Sequence, residues 1–211
     1  DLYELYRRLP LWVRFHTWVR WRSSPFEEVA KLVPRGGRIL DLGCGYGLMA
    51  NLLSLRSSRR DVLGVDMSYE KIAAARETVG SRTNIRFEIQ DIQNLSAHNQ
   101  AYTCILIQDV LYLLPFGQWK NVLTWCFHVL EPGGLLLLKE QDTRPRWKYV
   151  WNLCQEFLAV RVLHITEGAA LTFPGREVIA EGLRTTGFSV EIVPLDKGCC
   201  HPHILFLCRK T

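Results

Sequence analysis

No apolar run in this sequence approaches the roughly 18–20 residues that a membrane-crossing helix needs. The longest are pieces such as VLYLLPF. No secretory signal pattern, internal repeat or low-complexity segment is visible. Metal-ligating clusters are sparse as well: CCHPH, Cys199 to His203, has no second ligand pair at zinc spacing, so it reads as a turn and no metal is expected. Seven cysteines (44, 104, 126, 154, 199, 200 and 208) are an odd, scattered set. They argue against a disulfide framework and for free thiols in a reducing, cytoplasmic setting. The net charge of +5 is small enough to permit an anionic partner without requiring one.

What is present is an ordinary globular composition, 48% hydrophobic, and 211 residues are enough for one domain with a sizeable core. From residue 36 strand-like and helix-like runs alternate. RILDL, DVLGVD, NIRFEIQD, TCILIQD and LLLLKE read as strands, with helical patterns between them. Ser68 and Gly80 suit the start and stop of the helix over SYEKIAAARETVG. RWKYVWNLCQEFLAVRVL reads as a long helix and GREVIAEGLRTTGF as another, closed by Gly187. SVEIVPL and HILFLCRK then pair as an antiparallel hairpin. The expectation is an α/β fold: a doubly wound, mostly parallel, seven-stranded Rossmann-like sheet with a terminal hairpin. Residues 35–211 form the sheet domain. Residues 1–34 form a helical extension, with helices over about residues 11–21 and 24–32.

RILDLGCGYG carries the functional signal. A buried strand ends on Asp41 and passes into Gly43, Gly45 and Gly47, where a stripped backbone turns sharply and admits a ligand. The second strand ends at Asp66, about 20 residues after the glycine turn, where a carboxylate accepts from both ribose hydroxyls. The third ends at Asp91, suited to an exocyclic adenine amine, with Ile92 beside the ring. A dinucleotide fingerprint would need a third glycine where Leu48 stands. Asp41 would repel a pyrophosphate but not a cationic sulfonium with a free amino group. These features, with GVDMS, QDIQNL, DVLYLLP, VLEPGGLLLLKE and TFPGREVIAEGLRTTGF in order, make the chain resemble the class I S-adenosylmethionine-dependent methyltransferases of the small-molecule type.

The resemblance implies S-adenosyl-L-methionine as cofactor. It implies that Gly43, Cys44, Gly45 and Gly47 wrap the methionine part, with Asp41 and Met67 in the same set. Asp66 would bind ribose, Asp91 and Ile92 adenine, and backbone around Gln108 the amino group. Tyr102-Thr103 and His128 depart from the family's usual Phe-Asp and arginine, away from the methyl group. A nicotinamide-dependent oxidoreductase, disfavoured by Leu48, and a non-catalytic, membrane-associated nucleoside-binding module remain the alternatives.

Methyl transfer requires alignment above all, and a base only if the acceptor must lose a proton. Glu140, delivered by LLLLKEQD, is the first candidate, followed by Asp109 and by Tyr112, which also suits a pocket wall. Asp142, His16 and His164 are further candidates. The Asn/Asp-Pro-Pro-aromatic motif of base-methylating enzymes is missing after the fourth strand, as is the Pro-Cys of cytosine C5 enzymes. Both absences argue against a nucleic-acid substrate. Trp12, Phe15, Trp18 and Trp21 interleave with Arg14, Arg20 and Arg22, and Arg144 to Trp151 repeat the flavour. That composition suits either a helix at a membrane interface or one packing its tryptophans over the sheet as a lid. Both point to a small, hydrophobic or lipid-like acceptor. Removing residues 1–22 should then spare cofactor binding.

Overall fold

The computed structural model describes residues 2–95, 101–141, 174–195 and 202–211. Within them, strands β1 (Gly37–Leu42), β2 (Arg60–Asp66), β3 (Ile85–Ile89), β4 (Tyr102–Gln108), β5 (Leu130–Gln141), β6 (Phe188–Pro194) and β7 (His203–Lys210) form one sheet in the order β3-β2-β1-β4-β5-β7-β6. The first five are parallel, and β7 runs antiparallel to both β5 and β6. Strand order reverses between β1 and β4. Their carboxyl ends therefore open the crevice where ligands sit in such sheets.

Alternation along the strands sorts side chains onto two cores. Ile39, Val62, Leu106 and Leu137 face one cluster, built with helices α1 (Leu2–Leu5), α2 (Leu11–Ser23), α3 (Phe26–Leu32), α4 (Leu48–Arg56) and α5 (Tyr69–Glu77). Leu40, Leu63, Ile105 and Leu136 face the other, built with α6 (Phe116–Val129) and α7 (Arg176–Thr186). Burial on both faces is why the central runs are continuously apolar. The helix boundaries have local causes. Ser68 caps α5, its hydroxyl accepting from the Lys71 N–H, and Gly187 ends α7 at φ 113°.

Three features go beyond the sequence expectation. A short first helix, α1, precedes α2; its four residues are too few to show periodicity. The helix after the glycine turn starts at Leu48, because Gly47 is its left-handed N-cap and Tyr46 remains in the turn. Strand β5 begins at Leu130, upstream of LLLLKE; Tyr102 pairs with Leu130, then the register shifts before Cys104 pairs with Leu135. The long helix expected around residues 146–163, Asp142, His164 and Cys199 to His201 lie outside the described residues.

Residues 2–33 share the first core rather than forming one of their own, through Leu2, Tyr6, Leu9, Val13, Phe26 and Val29. Polar contacts join them to the sheet domain. The Tyr6 hydroxyl donates to the Tyr46 carbonyl at 2.8 Å and accepts from Asn51 Nδ2 at 2.9 Å. Asn51, fully buried on α4, also donates to Thr78 and accepts from Arg82.

Candidate functional site

The glycine turn is braced from below. The Gly43 and Cys44 N–H groups donate to the Val65 carbonyl at 2.8 and 2.9 Å, and Gly47 N–H to the Cys44 carbonyl. Added Cβ atoms at Gly43 and Gly47 would lie 2.4 Å from Val110 and 2.5 Å from Phe87, so these two glycines serve close packing. Gly45, at φ 55°, would meet nothing within 4 Å. It is the glycine that faces open space and admits a ligand's approach.

Asp66 ends β2 with one carboxylate oxygen accepting from Gly45 N–H (2.8 Å) and the other from Ser68 N–H (3.0 Å). Ser68, not Asp66, caps α5, and each Asp66 oxygen keeps lone-pair capacity for a further donor. Asp91 performs a comparable local task, accepting from Gln93 N–H and Asn94 Nδ2 at the start of a 3₁₀ turn. Ile92 behind it is buried in the second core, while Met67 is about half exposed beyond β2. Cys44 is half-buried; burial, then Asp41 and Asp66, hold its thiol well above the usual range, so it is inert.

Between these groups lies a concentration of unsatisfied acceptors. Asp41 Oδ2, Gln108 Oε1, Asp109 Oδ1, Glu140 Oε2 and Gln141 Oε1 are buried without a hydrogen-bond partner among the described residues. Asp41 lies near the carboxyl end of β1, and the others at or just past the ends of β4 and β5. Burial pushes the Asp41 carboxyl up to about 7, the Ala50 N–H opposing and nearby Asp66 adding to the rise. Orphaned acceptors and two neighbouring acids at these strand ends suit a cationic, donor-bearing ligand better than an anion. The residues therefore fit a cationic nucleoside such as S-adenosylmethionine; Asp41 and Gln108 would suit its ammonium side, and Asp66 and Asp91 its nucleoside, as the resemblance implies.

The candidate acid–base groups separate sharply. Asp109 has φ 55°, a left-handed conformation otherwise confined to glycines among the described residues. Its Oδ2 accepts from Lys139 Nζ at 2.5 Å and from Arg20 at 2.9 Å. Burial alone would raise its carboxyl, but Lys139, Arg20 and His203 outweigh it and hold it well below the usual range. A carboxylate so tightly held as an anion is a poor proton acceptor, so its place is that of an ion-pair anchor rather than a base. Glu140 is equally buried and opposite in character. Burial, with the charge of Asp109, pushes it up to about 8 although its Oε1 accepts from Leu111 N–H at 3.0 Å. Tyr112 is buried in the 3₁₀ turn Leu111–Leu113, where a wall would be.

The residues missed in the sequence are those that fasten the N-terminal helices here. Arg20 reaches from α2 to Asp109, and the Ser23 carbonyl meets His203 Nε2 at 2.8 Å. Trp12 and His16 both stand edge-on to the Tyr46 ring, with centroids 5.6 and 5.2 Å away. Burial, then Arg20 and Lys71, lower His16 to about 4, so it is neutral at pH 7. One signal was available: Lys139 is a cation inside an apolar strand and demanded a buried anion. Nothing local identified Arg20 as a partner 89 residues away from Asp109.

The aromatic residues of α2 divide between packing and solvent. Trp21 is partly buried and stacks on Phe26, but Trp12, Phe15 and Trp18 are 56%, 66% and 51% exposed.

Comparison with known proteins gives a family profile, described as a methyltransferase domain, over residues 39–134. The chain is 33% identical over 129 residues to a trans-aconitate 2-methyltransferase of Variovorax paradoxus, covering 58% of this chain but only 46% of that protein. It is 27% identical to a demethylmenaquinone methyltransferase of Thermus thermophilus over 96% of this chain and 94% of that one. A solved S-adenosylmethionine-dependent methyltransferase from Mesorhizobium loti superimposes with a TM-score of 0.68 at 17% identity, covering 87% of this chain and 96% of that one. The matched region contains the glycine turn and the carboxyl ends of β1 to β4. Residues 39–134 thus match a methyltransferase domain, and the chain is similar in sequence and in fold to S-adenosylmethionine-dependent methyltransferases.

Proposed function

We propose that this protein methylates a small, hydrophobic or lipid-like acceptor, and that Glu140 removes the acceptor's proton where one must leave. The reading rests above all on the juxtaposition at the end of β5: a buried Glu140 with one oxygen unpartnered, beside an Asp109 held as an anion. When bound, S-adenosylmethionine supplies an electrophilic methyl group on a sulfonium. The chain's own residues supply the rest. Asp41 offers a negative charge to the cationic side of the cofactor, and Asp66 fixes the nucleoside end. Lys139 and Arg20 hold Asp109 as an anion, and its charge, with burial, keeps the Glu140 carboxyl raised.

A carboxyl with pKa near 8 is a strong base once ionised and is matched to an acceptor hydroxyl of comparable acidity. The relatives' names do not fix the acceptor: one is a trans-aconitate enzyme, the other a demethylmenaquinone enzyme. The outward aromatic face of α2 favours the apolar class.

The test combines calorimetry with S-adenosylhomocysteine and transfer of a radiolabelled methyl group to an apolar phenol or quinol and to a tricarboxylate. Binding together with transfer to the apolar acceptor is expected. Asp66→Ala should weaken S-adenosylhomocysteine by about 1.5–3 kcal/mol, a lost charged hydrogen bond. Unchanged affinity would remove Asp66 from the site, and transfer confined to the tricarboxylate would overturn the apolar assignment.

A further inference from the structure

Helix α2 contains three arginines and no acidic residue. Leu11, Trp12, Phe15, Trp18 and Val19 on it are exposed. At roughly 100° per residue these positions share an arc of about 120°, with Arg22 inside it. Phe15 and Trp18 stack with centroids 6.2 Å apart. The opposite side is committed: Val13 and Thr17 are buried, Arg20 is bonded to Asp109, and His16 lies against Tyr46. The helix cannot roll its aromatic stripe inward without breaking those contacts. Covering a large apolar side chain gains about 1.5–3 kcal/mol, so a stripe of five held in water is a surface built for an occupant.

We propose that α2 is an interfacial helix that seats this protein on an anionic lipid bilayer. Trp12, Phe15 and Trp18 enter the boundary between headgroups and acyl chains, while Arg14 and Arg22 meet lipid phosphates. Charge decides for lipid over a second copy. A two-fold pairing of this face would set its arginines against their own copies with no acid on the helix to offset them. Arg20 fastens α2 to Asp109 at the end of β4, so the bilayer adjoins the crevice and a lipid-like acceptor enters from the membrane side. Only this delivery role rests on the function proposed above; attachment itself does not.

The experiment is flotation of the full chain with vesicles of phosphatidylcholine containing phosphatidylglycerol, and with phosphatidylcholine alone. Flotation with the anionic vesicles, weakened at high salt, is expected. Phe15→Ser/Trp18→Ser should reduce that binding at least tenfold while leaving S-adenosylhomocysteine calorimetry and circular dichroism unchanged. Arg14→Glu/Arg22→Glu should abolish the preference for anionic lipid. Absence of flotation, or flotation indifferent to the aromatic substitutions, overturns the proposal. So does a concentration-dependent dimer, seen by light scattering, that the double variant dissociates, since it assigns the face to a second copy. Vesicle binding by a protein that takes no S-adenosylhomocysteine would strike the cofactor reading and leave this one standing.

Discussion

At the scale of one residue, the proposed chemistry turns on Glu140. Its folded pKa, about 8, lies above the ordinary value of 4.5, because burial and Asp109 both disfavour the anion. The unfolded chain therefore loses this proton first as pH rises. The stability tied to Glu140 is fully present below about pH 4.5, declines from there to about 8, and is gone above it. Glu140→Gln should stabilise the protein at pH 9 by on the order of a few kcal/mol, read by chemical denaturation. The same substitution should remove the rise in methyl-transfer rate expected of the unaltered protein through about pH 8. A rate profile that keeps its limb in the variant would assign the base elsewhere. A carboxyl at this strand end was legible in LLLLKEQD; its protonation was not. That depends on Asp109 and Lys139, and on which of the two acids Lys139 neutralises.

At the scale of elements, the N-terminal helices are joined to the glycine turn through Tyr46. Tyr6, Trp12 and His16 all converge on that residue, and Tyr6 also links it to Asn51 on α4. Removing residues 1–22 would take these contacts from the glycine turn and, contrary to the sequence expectation, should weaken cofactor binding. Tyr6→Phe keeps the ring but leaves the Tyr46 carbonyl and an Asn51 N–H without their partner. A loss of about 1–3 kcal/mol in unfolding free energy is expected. S-adenosylhomocysteine affinity should fall alongside it, measured by calorimetry well below the melting temperature. Intact affinity in the variant would show that the turn holds its shape without α1 and α2. Sequence periodicity located α2 and α3 but could not orient them, because α2 has apolar residues around nearly its whole circumference. Arg20 and its buried anion set the rotation.

Across the whole molecule, Asp41 ties stability to pH and, in the proposed site, ligand binding as well. Its folded pKa is raised from 3.8 to about 7, so it lowers the stability of the ligand-free protein as pH climbs between those values. A bound ammonium favours the ionised carboxylate, and binding below pH 7 must release the proton. S-adenosylhomocysteine should therefore bind about tenfold more weakly at pH 6 than at pH 8, with a smaller rise in melting temperature at a fixed ligand concentration. Asp41→Asn should flatten that dependence, lower the affinity and raise the ligand-free stability at pH 8. A pH-independent affinity in the unaltered protein would place the ammonium away from Asp41.

The succession of strands along the chain, the turn at Gly43 to Gly47 and the acids at three strand ends were legible in the sequence alone. Each rests on local physics: continuous apolar runs for buried strands, glycine for left-handed backbone, and strand length for where a side chain emerges. Three matters were decided only by the folded chain. They are the ionisation of Asp41, Asp109 and Glu140, the rotation of α2 that leaves its aromatic stripe outward, and the seating of residues 2–33 on the site. All three depend on charges and rings brought together from distant positions, and burial makes their mutual energies large where water would have erased them.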